Sequence, residues 1–311
     1  MKKTNPFISI IINCFNGEKY LQHTLDSVLT QSFEDWELIF WDNCSNDRSS
    51  EIFNGYKDKR FKYYLASKHL NLAAAKELAI TRASGEWLAL LDADDLWLED
   101  KLSMQIKLIN EAGQNLGAVY GRMQLIVEAE ALNSPMAKRA LINQNYRRRE
   151  KLPEGNVFNS LVIENFIPQP SLLINKDAYF SVGGVDTSLR HAWDYDLILK
   201  IAHQYEVRAL QDTCCYYRIH GSNLSQTQGD LCCEESIQVL QKHLPSKRVS
   251  QGIKNFQATW AIRDIARGLY FEGLNRTTNN KLYFDLMRKI AIAIHKFLLK
   301  IFSDKFLKNE I

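Results

Sequence analysis

Phe7-Ile-Ser-Ile-Ile-Ile-Asn13 is the stretch on which the fold reading turns. It is nearly continuously apolar and rich in β-branched residues, which suits a strand buried on both faces, as in a parallel sheet. Asn16-Gly17 ends it, and Tyr20, Leu21, Leu25, Val28 and Leu29 then recur at helical spacing. Working outward, Trp36-Glu-Leu-Ile-Phe-Trp41 reads as a second strand, closed by the polar string Asp42-Asn-Cys-Ser-Asn-Asp-Arg48. The pattern predicts a helix over Ser49 to Tyr56, a strand over Phe61 to Leu65, a helix over Ala73 to Ala83 and a strand over Trp87 to Leu91. Strands alternating with helices at these lengths specify an α/β fold with a mainly parallel central sheet flanked by helices.

In such sheets ligands bind beyond the carboxyl ends of the strands. Those ends here are Asn13-Cys-Phe-Asn16, Asp42-Asn-Cys-Ser-Asn-Asp47 and Asp92-Ala-Asp-Asp95, three polar and largely acidic clusters on one rim. No G-x-G-x-x-G follows the first strand, no G-x-x-x-x-G-K-[ST] occurs, and H-E-x-x-H is missing, which argues against a dinucleotide-binding dehydrogenase, a P-loop NTPase and a zinc peptidase. Acidic strand ends hold phosphate through a divalent cation, and Mg²⁺ and Mn²⁺ favour one or two carboxylates plus substrate phosphate oxygens.

Four segments carry a family resemblance. Ile8-Ser-Ile-Ile-Ile-Asn-Cys-Phe-Asn-Gly-Glu-Lys-Tyr-Leu21, Leu25-Asp-Ser-Val-Leu-Thr-Gln-Ser-Phe33, Glu37-Leu-Ile-Phe-Trp-Asp-Asn-Cys-Ser-Asn-Asp47 and Ala83-Ser-Gly-Glu-Trp-Leu-Ala-Leu-Leu-Asp-Ala-Asp-Asp-Leu-Trp97 resemble, in order and spacing, family 2 glycosyltransferases. The likeness resumes near 165–225, with Val182-Gly-Gly-Val-Asp186, Trp193-Asp-Tyr-Asp-Leu197 and Tyr217-Arg-Ile-His220. It implies a GT-A (Rossmann-like) fold and inverting transfer from a nucleotide-sugar donor, with a UDP- or dTDP-sugar expected and Mn²⁺ or Mg²⁺ as cofactor. The acceptor would be a hydroxyl of a glycan or lipid-linked glycan.

The resemblance also assigns roles. Asp94, in the segment resembling D-x-D, would ligate the metal. Asp92 and His220 are further metal candidates, and Asn13, Phe15, Asn43, Lys76, Asp92, Ala93, Arg218 and His220 would line the donor site. Phe15 would stack on the base. Asn43 stands where relatives usually carry a second Asp, and its amide oxygen can still accept from a pyrimidine N–H. Lys76 stands where relatives often carry Arg. Asp194 would be the general base, and a single base suffices for one displacement with inversion. Each residue has a plainer alternative. Asp95 could cap a helix beginning at Leu96, Phe15 could pack in the core, Asn43 could serve a turn, and Lys76 could lie on a solvated helix face. Asp194 and Asp196 could complement a helix dipole. Two other classes compete with a transferase: a sugar nucleotidyltransferase, whose phosphate loop after strand one is missing here, and a non-catalytic carbohydrate or assembly module on the same fold.

The chain has 311 residues, 46% hydrophobic and 24% charged, which excludes wholesale disorder. At about 150 residues per domain this suggests two parts: a catalytic domain over 1–226 (donor side about 1–120, acceptor side about 121–226) and a helical region over 227–311. Net charge is +3, with residues 281–311 carrying seven Lys/Arg against three acids. The rest is therefore near neutral, and nucleic-acid binding is not indicated. In that tail Tyr283, Leu286, Met287, Ile290, Ile294, Phe297, Leu298 and Ile301 fall on one helical face. This basic amphipathic helix would dock on an anionic membrane surface, on its own domain or on a homodimer partner. The run Arg147-Arg-Arg-Glu-Lys151 reads as a solvated loop or one that closes over the substrates. Six cysteines, four in adjacent pairs, fit a reduced protein better than a zinc site. With no signal-peptide pattern, the expected location is the cytoplasm, with peripheral attachment at the inner membrane face as the alternative.

Overall fold

The structure is a computed structural model that describes residues 5–132 and 150–266. The basic run at 147–149 and the tail at 281–311 lie outside them. The strands are β1 (Ile8–Cys14), β2 (Trp36–Asp42), β3 (Phe61–Leu65), β4 (Trp87–Asp92), β5 (Leu96–Trp97), β6 (Leu116–Val127), β7 (Leu173–Asn175) and β8 (Glu206–Ile219). The helices are α1 (Leu21–Leu29), α2 (Ser49–Gly55), α3 (Leu72–Ile80), α4 (Lys101–Asn110) and α5 (Phe158–Leu161). They continue with α6 (Lys176–Ser181), α7 (Trp193–Gln204), α8 (Leu224–Thr227), α9 (Gly229–Gln241) and α10 (Lys247–Ala266).

One mixed, mostly parallel sheet has the order β3-β2-β1-β4-β7-β6-β8-β5. β1 runs parallel to both β2 and β4, and every residue of β1 and β2 is buried, as their apolar runs predict. β7 joins antiparallel between β4 and β6, while β6 and β8 pair parallel across register shifts. The expected helix at Leu96 is instead β5, antiparallel to β8 at Tyr216 and Cys215. Two compact units divide at His243/Leu244. The first includes α9; the described part of the second is α10 and its lead-in. Among the described residues no helix is long and apolar enough to cross a membrane.

Polar residues inside the sheet are paired. Ser9 and Glu37 are buried at the amino end of β1 and β2. Glu37 accepts from the Ser9 hydroxyl (2.6 Å), from the N–H and hydroxyl of Ser84 (2.7 Å each) and from Lys62. Burial opposes ionisation of Glu37, but these donors outweigh it and leave its pKa below the ordinary value. Gly85 donates its N–H to Ser9 Oγ at 2.8 Å, an approach that leaves no room for a side chain. A Cβ at Gly85 would stand 2.6 Å from the Ser9 nitrogen and 2.7 Å from the Ile8 carbonyl carbon. Gly85→Ala should therefore destabilise the fold by about 1–3 kcal/mol in urea unfolding; a midpoint equal to the parent's would contradict this packing.

Candidate active site

The rim beyond β1, β2 and β4 is built by two interlocked loops and one turn. Asn16 and Cys44 adopt left-handed backbone conformations at the loop tips (φ 55° and 67°). The Asn46 N–H donates to Asn16 Oδ1 (2.9 Å), the Gly17 N–H to Ser49 Oγ (2.9 Å) and the Glu18 N–H to Asp47 Oδ2 (2.9 Å). Asp42 is spent in the same framework, accepting from the Ser45 N–H (2.7 Å) and the Tyr63 hydroxyl (2.7 Å). Two of the acids expected at the rim, Asp42 and Asp47, thus build loops.

The turn after β4 is fixed from three sides. The Thr24 hydroxyl lies 2.9 Å from the Asp95 carbonyl and 3.0 Å from that of Ala93. Asp95 is fully buried and accepts the Arg218 N–H at 2.9 Å. Burial, then the neighbouring Asp94 and Asp92, push its carboxyl well above the usual range. Asp95 therefore ties the turn to β8 and caps no helix. Asp92 and Asp94 remain partly open, with 35% and 30% of their side chains exposed.

Asp92 faces Lys76 of α3, Nζ to Oδ1 at 3.3 Å, and receives a long contact from Gln169 Nε2 at 3.5 Å. Burial raises the Asp92 carboxyl, and Lys76 opposes that shift. Lys76 is fully buried, so the solvated-face alternative is wrong. Three alanines of α3 (Ala73, Ala75, Ala79) pack at zero exposure, which lets the helix approach the sheet closely enough to bring the ammonium to Asp92. Lys76 Nζ also lies 5.5 Å from the centre of the Trp193 ring. Gln169 was missed as a candidate. It sits in the Pro168–Pro170 turn, whose Pro170 carbonyl accepts from Trp97 Nε1 at 2.8 Å.

Asp94 meets His220, Oδ2 to Nε2 at 2.9 Å. The Ser222 N–H points at His220 Nδ1 (3.3 Å), so Nε2 carries the ring proton and donates to Asp94. Tyr20 packs against both His220 and Arg218: its ring is 4.9 Å from the His220 ring and 4.7 Å from the Arg218 guanidinium. Arg218 is buried. Its Nε donates to the Asp94 carbonyl at 2.9 Å and its Nη1 pairs with Glu128. That arrangement holds the turn that carries Asp94.

Asp194 lies in the first turn of α7, with Oδ1 accepting the Tyr195 N–H at 2.8 Å. Burial pushes its carboxyl up to about 6, with Asp92 adding to the rise and Lys76 opposing it. Asp194 thus shares one electrostatic environment with the Lys76–Asp92 pair. Asp196 belongs elsewhere, ion-paired with Lys200 and Lys242 at 2.9 Å each.

The remaining candidates divide. Phe15 is 51% exposed, its ring 4.2 Å from that of His69, an open aromatic surface on the rim. Asn43 is buried. Its Nδ2 donates to the Leu70 carbonyl (2.8 Å) and its Oδ1 accepts the Leu70 N–H (3.1 Å). The amide holds the loop that carries His69. Asn13 is buried beside Asp92 in the β1–β4 register, with neither amide atom hydrogen-bonded. Ala93 contributes its place in the turn.

Among the described residues no cluster of three or more His, Cys, Asp or Glu forms a ready-made metal cage. Asp94 and His220 supply two adjacent donors, which suits a hard cation that takes its other ligands from phosphate and water. Binding there requires the His220 proton to move to Nδ1, where Ser222 Oγ at 2.9 Å can accept it.

Residues 9–161 match the model for glycosyl transferase family 2, and this part of the chain is a member of that family. Two bacterial relatives are the putative teichuronic acid biosynthesis glycosyltransferase TuaG of Bacillus subtilis and a glucosyltransferase of Escherichia coli. The first is 35% identical over 36% of this chain and 45% of its own length. The second, UDP-Glc:alpha-D-GlcNAc-diphosphoundecaprenol beta-1,3-glucosyltransferase WfgD, is 33% identical over 38% and 46%. The chain thus matches less than half the length of either relative. Among solved structures, S. aureus TarS 1-349 in complex with UDP aligns with TM-score 0.61 at 18% identity, over 83% of this chain and 72% of TarS. Mannosyltransferase PcManGT from Pyrobaculum calidifontis, in complex with GDP-Man and Mn²⁺, aligns with TM-score 0.62 at 17%, over 94% and 81%. The fold is GT-A.

A carboxyl raised in the native state binds more protons there than in the unfolded chain. Asp194 therefore costs stability above pH 6, and the cost fades as pH falls toward its unfolded value near 4. Asp194→Asn should stabilise the protein at about pH 8 by up to about 2 kcal/mol, discounted for partial exposure, with little effect near pH 4. Equal melting shifts at both pH values would contradict the buried, raised carboxyl.

Proposed function

We propose that this chain is an inverting glycosyltransferase that moves a sugar from a nucleotide-sugar donor to a hydroxyl of a glycan or lipid-linked glycan. The observation that carries the reading is the division of labour among the carboxylates at the rim. Asp94 stands against His220, Asp92 is balanced by Lys76, and Asp194 has a carboxyl poised near 6.

The Phe15–His69 surface offers a π-face for the donor base, and Asn43 keeps His69 beside it. The open aromatic fits UDP or dTDP. On the same fold TarS is seen with UDP and PcManGT with GDP-Man. Asp94 and His220 would hold Mn²⁺ or Mg²⁺, which offsets charge building on the leaving diphosphate. The buried ammonium of Lys76 lies beside Asp92 and opposes the upward shift that burial imposes on that carboxyl. Asp194 takes the proton of the acceptor hydroxyl as the oxygen attacks the anomeric carbon. A carboxylate with a pKa near 6 is a stronger base than an ordinary Asp yet remains ionised at neutral pH. One base is enough for a single displacement, which inverts the anomeric carbon.

The names of TuaG and WfgD point to cell-surface polysaccharide assembly as the setting. Attachment to a membrane or to a second copy through 281–311 remains part of the proposal, since that segment lies outside the described residues.

Asp194→Ala should lower sugar transfer by at least about a hundredfold while keeping metal-dependent nucleotide binding. Asp94→Ala should lose both. The wild-type rate should fall on the acid side with a midpoint near pH 6, because protonated Asp194 cannot accept the hydroxyl proton. Transfer assays and calorimetry on the two variants check this. Near-wild-type transfer by either one, or a flat profile between about pH 5 and 8, would refute the corresponding assignment.

A further inference from the structure

α7 starts without a cap of its own: the residue before it is Ala192, which has no side-chain acceptor. Its approach segment is held from a helix 43 residues away. Glu235, on α9, accepts three successive backbone N–H groups. Arg190 lies 3.0 Å from both carboxylate oxygens, and His191 and Ala192 lie 2.7 and 3.0 Å from Oε2. Burial opposes ionisation of Glu235, yet these donors leave its pKa below the ordinary value. A second tie comes from the end of the same helix. Lys242 bridges Asp186 and Asp196 at 2.9 Å each. The segment from Asp186 to Asp196, which carries Asp194, is therefore gripped on both sides of that residue.

We propose that Glu235 is a positioning residue, whose carboxylate fixes the backbone turn that carries Asp194 into the cleft. It touches no substrate. This inference rests on the assignment of Asp194 as the base. Hydrogen bonds to an ionised acceptor are about twice as strong as neutral ones, and the anion also complements the amino end of α7. Proton transfer is steep in distance, so loosening this turn should reduce turnover while the donor pocket on β1 and β4 stays intact.

The experiment uses the full chain with Glu235→Ala and Glu235→Gln. Three quantities are followed: UDP binding with Mn²⁺, UDP release from UDP-glucose or UDP-N-acetylglucosamine with water as acceptor, and amide hydrogen exchange. The expected result for Glu235→Ala is a fall in kcat of about ten- to a hundredfold with KM and UDP affinity within about twofold. Faster exchange should be confined to amides 190–195. Glu235→Gln keeps one acceptor oxygen and should recover part of the turnover, and it serves alone if the alanine variant does not fold. Unchanged exchange at 190–195, unchanged kcat, or an equal loss of kcat and UDP affinity would overturn the proposal. A wild type that binds UDP with Mn²⁺ but whose turnover is indifferent to Asp194→Asn would instead contradict the base assignment.

Discussion

The ion pair between Lys76 and Asp92 is the contact on which the cleft depends. It brings a fully buried ammonium to the end of β4, where Asp92, Asp94 and Asp95 crowd one turn and Asp194 approaches from α7. Burying a lone charge is costly, and each partner makes the other tolerable. The pair also explains the packing around it. The alanines of α3 permit the helix to sit close, and the Trp193 ring lies within reach of the same ammonium. Without Lys76 the acids would repel one another and take up protons, and the division of roles among them would be lost.

The molecule spends its other polar residues on holding this arrangement. Arg218, Thr24 and Asp95 fix the turn after β4, and Asn43 fixes the loop bearing His69. Glu235 and Lys242 hold the approach to α7. These are contacts to backbone atoms or between elements distant in sequence. Phe15, Asp92 and Asp94 are among the side chains left open toward the rim, and Asp194 is partly exposed. A catalytic constellation supported in this way gains its precision from rigid elements.

Much of this was legible in the sequence, for identifiable reasons. β1, β2 and β4 are buried on both faces, so their β-branched runs announce themselves, and the acids at their ends mark the rim. β6 and β8 carry no such signal, because β6 passes from core to half-exposed along its length and β8 mixes buried and part-exposed positions throughout. Leu96–Trp97 looked like a capped helix start, yet its pairing with Tyr216 and Cys215 makes it a strand, a long-range choice invisible locally. Lys76 reads as solvated in an alanine-rich helix because its compensating charge lies on another element. Glu235 has no signature at all, since its partners are backbone N–H groups that any sequence supplies.

The central claim is that the rim is a metal-assisted nucleotide-sugar site. Calorimetry with UDP, dTDP, GDP and CDP, each with Mn²⁺ and with a chelator, tests it most directly. The account predicts selective binding of a pyrimidine diphosphate that collapses when the cation is removed. Binding that ignores the chelator, or no binding of any of the four, would contradict it.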